Sequence, residues 1–219
     1  MSKSPMLLRL VLFAVVGAII TFAVYSVLKP GHALPIYHPA DLKPELTDAR
    51  SRATKGEHHI LDFRLFDQNG DTITLANTHG KVRVADFFFT TCTSICPKMS
   101  MQMERVQEAF KDDDRVVLLS HSVTPEMDSV PVLAEYAQLH GADQRRWHLL
   151  TGDRRQIYRL ARRSWFAALD DGDGGQDDFV HTENFVLADT LGRLRGFYDG
   201  TKAEDVDRLI ADMHTLLEE

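Results

Sequence analysis

Apolar strands alternating with amphipathic helices predict an α/β protein, and three observations narrow this to a thioredoxin-like sandwich with a central mixed β-sheet and flanking helices. First, the run Val82 to Phe89 reads as a strand buried on both faces, the signature of a parallel sheet. Second, the chain's two cysteines, Cys92 and Cys96, follow that strand at a four-residue spacing, with Pro97 suited to the first turn of a helix. Third, strand and helix patterns continue in alternation to the C-terminus. The dithiol therefore falls at a strand-to-helix junction, where open α/β sheets place their chemistry. A helix N-terminus also favours thiolate over thiol. Two such sulfurs either form a disulfide or grip a soft metal ion.

The elements follow in order. Residues 1–9 are a short cytoplasmic N-terminus, and Leu10 to Leu28 is an uncharged stretch close to the roughly 20 residues a membrane-spanning helix needs. Lys3 and Arg9 precede it, so the positive-inside rule sends the remainder across the membrane; the expectation is a single-pass anchor in a bacterial inner membrane with the soluble domain in the periplasm or extracytoplasmic space. The apolar run exceeds a signal-peptide core, and Gly31-His32-Ala33 is a poor cleavage site, so the anchor reading is preferred. Residues 29–56, with Pro30, Pro35, Pro39 and Pro44, read as an extended linker. Residues 57–219 are long enough for one domain with its own core. A net charge of −7 argues against a nucleic-acid partner. An oxidising compartment permits disulfides, but one closing so short a loop adds little stability, which points to a working pair.

Within the domain, His59 to Leu65 and Thr72 to Leu75 flank Asn69-Gly70, a hairpin signal. After the cysteines, Met99, Met103, Val106 and Phe110 share one helix face. Val116 to Ser120 is a second buried strand, Pro131 opens a helix through Leu139, Trp147 to Leu150 is a strand, and Gln156 to Phe166 a helix. Asp170 to Asp178 is an acidic, glycine-rich loop that fails the EF-hand pattern. Asn184 to Ala188 and Leu194 to Tyr198 form a hairpin around Asp189-Thr190-Leu191-Gly192. Thr201-Lys202-Ala203-Glu204 reads as a capping box opening a helix with Val206, Leu209, Ile210, Met213, Leu216 and Leu217 as its apolar stripe.

Of the ten histidines, most read as linker, surface or loop residues. His58 and His59 are explained by a strand edge more simply than by a metal, and His121, at the end of the strand beside the cysteines, is closer to the site. His181 stands apart. It lies just before Asn184 to Ala188, a strand expected to return beside the cysteine strand, where thioredoxins carry a cis-proline facing the dithiol. This chain has no proline after Pro131, which points away from general disulfide exchange and toward a metal. Met99 and Met103 are read as core, not as thioether ligands.

Cys92-x-x-x-Cys96-Pro97, Trp147-x-Leu-Leu-Thr151-Gly152 and His181 before Phe185-x-Leu together resemble the Sco (SenC/PrrC) proteins, over about Ile60 to Leu217. The resemblance implies a thioredoxin-like copper-binding protein that helps assemble the CuA centre of cytochrome c oxidase, with copper held by Cys92, Cys96 and His181. Its implied partners are oxidase subunit II, a copper donor and a thiol reductant. Soft thiolates suit Cu(I), and imidazole accepts either copper oxidation state. Two departures stand out: Thr124-Pro125 replaces the family's frequent Asp-Pro, and Thr93, Ser94 and Ile95 put no carboxylate between the cysteines. Glu126 and Asp128 either compensate or belong to a solvated loop. The leading expectation is a membrane-anchored metallochaperone. The alternative is a thiol–disulfide oxidoreductase whose redox-active pair, Cys92 and Cys96, reduces an apo-oxidase subunit or another extracytoplasmic protein. Phe89-Thr90-Thr91 before Cys92 does not fit a peroxiredoxin.

Overall fold

Gly70, at φ 81°, supplies the left-handed backbone of the Asn69-Gly70 turn, and β1 (Arg64–Phe66) pairs antiparallel with β2 (Thr72–Thr74) across it. β1 is shorter than the expected His59 to Leu65. Ile60 N donates to Gly192 O and Leu61 N to Ser164 Oγ, so this stretch is pinned to loops and forms no ladder. The structure, a computed structural model, describes residues 9, 11–18, 20–21, 33–47, 52–53, 56–168, 179–180 and 182–219. The acidic loop Asp170 to Asp178 and His181 lie outside these described residues. The chain divides into two units, Met1–Ala33 and Leu34–Glu219.

In the larger unit a five-stranded sheet has the order β5-β4-β3-β6-β7, from β3 (Val82–Phe88), β4 (Val116–Ser122), β5 (Trp147–Leu150), β6 (Asn184–Ala188) and β7 (Leu194–Asp199). β3, β4 and β5 are parallel, while β6 runs antiparallel to β3 and β7 antiparallel to β6. This is the mixed sheet expected. Every residue of β3 and β4 is buried, the polar Arg83, Asp86, Ser120, His121 and Ser122 included.

Among the described residues four helices cover the sheet: α1 (Cys96–Ala109), α2 (Val130–Leu139), α3 (Arg154–Arg163) and α4 (Ala203–Glu218). Alternation along the strands divides the core in two. Val82, Val84 and Phe88 pack with Met99, Met103 and Val106 of α1, Leu133 of α2 and Val206, Leu209 and Met213 of α4. Ala85 and Phe87 point the other way, to Ile157 and Leu160 of α3 and Leu65 of β1. Met101 is 54% exposed and contributes nothing to either core.

Two helix boundaries depart from expectation. α3 starts at Arg154 because Asp153 accepts from Gln156 N as its cap, and it ends before Phe166, which takes φ 47°. The Thr201 capping box does not form. Asp199 accepts from both the Thr201 amide and hydroxyl, so Lys202 takes the N-cap position with no side-chain cap. Asp205, in the first turn, accepts from Asp199 N instead.

Part of the proline-rich segment packs on the domain. Tyr37 N donates to Leu194 O at 2.9 Å, and its ring meets Phe197 edge-on. The buried Arg195 guanidinium donates to Leu34 O, Pro35 O, Asp189 and Glu219. In the smaller unit, residues 11–18 and 20–21 are helical, and Val11, Leu12, Phe13, Val15, Val16 and Ile20 are exposed. Among the described residues no helix is long and apolar enough to cross a membrane. The expected span Leu10 to Leu28 includes residues outside those described.

Candidate dithiol and metal site

Cys92 and Cys96 occupy the junction between β3 and α1, and both are free and buried. Cys92 N donates to Phe89 O, which turns the chain after β3. Cys96 is the first residue of α1, with Pro97 in its first turn as expected. The Cys96 amide, left without a helical partner, donates to Cys92 Sγ at 3.4 Å, and Ser94 Oγ lies 3.6 Å from the same sulfur.

The two thiols ionise very differently. Burial opposes the Cys92 thiolate, but hydrogen bonds from the Cys96 thiol, the Cys96 and Ser94 amides and the Ser94 hydroxyl outweigh it and bring the pKa down to about 7. Burial pushes Cys96 up to about 12, reinforced by the hydrogen bond it gives Cys92 and by the negative charges of Cys92 and Asp86. The arrangement has one sulfur that ionises near neutral pH and one proton-holding partner. Such a pair can do nucleophilic disulfide exchange, and both sulfurs become thiolates once a soft metal displaces the protons.

Asp86 is a participant that the sequence reasoning passed over. Its side chain lies on the cysteine face of β3, 3% exposed, and burial lifts its pKa to about 7 despite the hydrogen bond from Ser120 Oγ. Trp147 Nε1 in turn donates to Ser120 Oγ at 2.9 Å. A carboxylate interrupting the apolar run Val82 to Phe89 is the signal that marks it. Asp128 was also missed as a buried group. Of the two readings left open for it, the solvated loop does not hold: Asp128 is fully buried and accepts from Thr90, Ser122 and Thr124. Glu126 is exposed and pairs with Arg154 at 3.7 Å.

His121 is at the expected strand end but on the wrong face. Its ring stacks on Phe87 at 4.8 Å, on the side of the sheet opposite Val84 and Phe88. His58 and His59 do not converge: His58 Nε2 bonds Ser164 O, while His59 Nδ1 bonds Leu191 O. Of the three proposed ligands the structure brings Cys92 and Cys96 together. His181 lies outside the described residues. Phe179 packs edge-on against Phe89 at 5.3 Å, and β6, which begins at Asn184, pairs with β3. Among the described residues no three His, Cys, Asp or Glu side chains form a metal-sized cluster.

A thioredoxin-like fold with an asymmetric dithiol at the end of its central strand defines the class. The sequence profile of the SCO1/SenC family matches residues 51–218, and the chain belongs to that family. The chain is 30% identical over 158 residues to the SCO1 protein homolog of Bacillus subtilis, covering 71% of this chain and 81% of that protein. Among solved structures it resembles ScoI of Bradyrhizobium japonicum with copper bound, at TM-score 0.57 and 25% identity, over 72% of this chain and 99% of the other. It also resembles BsSco, described as a cytochrome c oxidase assembly protein with a disulfide switch, at TM-score 0.62 and 28% identity, over 73% and 94% of the two chains.

Proposed function

We propose that this protein is a membrane-anchored copper metallochaperone that binds copper through Cys92, Cys96 and His181 and delivers it to the CuA site of cytochrome c oxidase subunit II. The observation that carries the reading is the pair of cysteines at the β3–α1 junction, two sulfurs brought together at a helix N-terminus. Thiolate donors select Cu(I) over harder ions. The packing of Phe179 on Phe89 and the pairing of β6 with β3 support His181 as the third donor, since both tie its flanks to the cysteine strand. Copper bound to the Bradyrhizobium relative, and the assembly role given for BsSco, support the cargo and the recipient class. The exposed apolar residues of the N-terminal helical segment support its insertion in a membrane, with the domain outside the cytoplasm.

The test is anaerobic Cu(I) titration of the reduced protein, comparing wild type with Cys92→Ser, Cys96→Ser and His181→Ala. One-to-one binding that weakens at least tenfold in each variant is expected, the loss of one ligand costing more than about 1.4 kcal/mol. Wild-type affinity in His181→Ala refutes the three-donor site.

The unequal thiols favour a second activity of the same pair. Cys92 Sγ attacks a partner disulfide to give a mixed disulfide, and Cys96 Sγ, losing its proton, displaces the partner sulfur. Two electrons pass to the partner and the protein keeps the Cys92–Cys96 disulfide. Metal-free turnover of an oxidised apo-subunit, abolished in Cys92→Ser, supports it. Copper binding requires the reduced pair, so this exchange sets when the site is open.

A further inference from the structure

Asp128 is a carboxylate with no exposure, and among the described residues it has no ion pair. Burying such a group is costly unless hydrogen bonds replace its hydration. Here they come from three residues on two stretches of the chain. Oδ1 accepts from Thr90 Oγ1 at 2.5 Å, while Oδ2 accepts from Thr90 N at 3.2 Å, Ser122 Oγ at 2.5 Å and Thr124 Oγ1 at 3.0 Å. Ser122 is the last residue of β4, Thr124 lies in the loop beyond it, and Thr90 lies between β3 and the first cysteine. The carboxylate itself is held from behind, since Asp128 N donates to Thr124 O and the next residue, Ser129, accepts from Leu133 N at the start of α2.

Two of the four bonds go to one residue, and that residue is Thr90. Holding both its amide and its hydroxyl fixes the backbone and the side chain where the chain leaves the sheet. From there Cys92 follows through the turn closed by Cys92 N and Phe89 O. The far end of the loop is fixed by α1, which begins at Cys96. The loop is thus clamped at exit by a helix and at entry by a carboxylate from the neighbouring strand's loop. We propose that Asp128 is the positioning residue of the dithiol, holding Thr90 so that Cys92 Sγ stays set against the Cys96 amide. Apart from sulfur geometry itself, this rests on the copper reading only where copper affinity is the readout. A pre-set pair captures its metal without first ordering the loop.

The experiment uses the full chain and the variants Asp128→Asn, Thr90→Val, their double, and Thr90→Ser, which keeps both donors. Leu160→Ala, in α3 on the other sheet face, serves as a control for destabilisation alone. Three quantities are read: the unfolding midpoint, the rate of iodoacetamide alkylation of Cys92 in metal-free reduced protein, and Cu(I) affinity against a chelator. Asp128→Asn and Thr90→Val should each change the alkylation rate and weaken Cu(I) binding by about threefold to tenfold, the worth of one buried hydrogen bond. The double should be no worse than the poorer single, because the residues act as one unit. Thr90→Ser should match wild type, and Leu160→Ala should lower the midpoint while leaving alkylation and affinity alone. If Asp128→Asn and Thr90→Val lower only the midpoint, or if their effects add in full, the proposal is overturned. Should Asp128→Asn fail to fold, the contrast between Thr90→Val and Thr90→Ser decides the matter. Should wild type bind no Cu(I), the metallochaperone reading falls, and alkylation alone still decides whether Asp128 positions the pair.

Discussion

His121 sits between the rings of Phe87, Phe63 and Trp165, fully buried, with Nδ1 facing the Asp86 carbonyl at 3.3 Å and Nε2 without a partner among the described residues. Burial drives its pKa down to about 4, against the small upward pull of that carbonyl. It is therefore a neutral core residue above about pH 4. In the unfolded chain the same imidazole takes a proton near its ordinary value of 6.5. Between these two pH values the unfolded state binds more protons, so acidification from 6.5 toward 4 should remove roughly 3 kcal/mol of stability through this one group. His121→Phe deletes both the titration and an unpaired buried nitrogen. The variant should be at least as stable as wild type at pH 7 and should lose less on going to pH 4.5, as read by urea unfolding at both pH values. Its Cu(I) affinity should be unchanged, because the ring faces away from the cysteines. Parallel stability profiles for the two proteins, or a loss of copper binding in the variant, would show that the residue has been misread.

The turn after β7 shows how tightly one element limits another. A Cβ added at Gly200 would stand 2.7 Å from the Phe185 ring, which is itself fully buried in β6. Gly200→Ala should cost about 1–3 kcal/mol through overpacking, visible as a lower denaturant midpoint, while thiol alkylation at Cys92 stays at the wild-type rate. A variant with the wild-type midpoint would mean the ring has room that this packing denies. Phe185 also illustrates what the sequence makes legible. Asn184 to Ala188 and Trp147 to Leu150 announce themselves as strands, and both bounds agree with the structure. Met99 and Met103 fall on the buried face of α1 as their spacing demands, because periodicity reports burial directly. The cysteine junction is legible for the same reason. Interactions between distant segments are not. Nothing in Ser122-Val123-Thr124-Pro125-Glu126-Met127-Asp128 distinguishes a solvated aspartate from one buried beneath Thr90, since Ser122 and Thr124 are local donors but Thr90, which gives two of the four bonds, arrives from a segment 38 residues away. The Thr201 box misleads because Asp199, two residues earlier, competes for the same hydroxyl. His121 has the right strand but the opposite face, a parity that only the register of β3 against β4 resolves.

At the scale of the whole molecule, the chain divides into Met1–Ala33 and Leu34–Glu219, and the proposed function assigns anchoring to the first and copper binding to the second. The dithiol and every group that tunes it belong to the second unit. Arg195 closes that unit on itself, gathering Leu34, Pro35, Asp189 and Glu219 around one buried guanidinium. Removing residues 1–33 should therefore leave a folded protein with the Cu(I) affinity of the full chain. Delivery should suffer instead. An anchor confines donor and acceptor to one membrane, and effective concentrations near the millimolar range follow from such confinement. In vesicles carrying a membrane-embedded CuA subunit, the full chain should load the site at protein concentrations where the shortened form loads little, and excess shortened protein should close the gap. Replacing Leu10 to Leu28 with an unrelated single-span helix separates tethering from recognition. Full delivery by that chimera means that the segment works by confinement alone. Delivery no better than that of the shortened form would assign the apolar segment contacts of its own with the acceptor. Equal delivery by the full and shortened chains at low concentration would remove the anchor from the mechanism altogether.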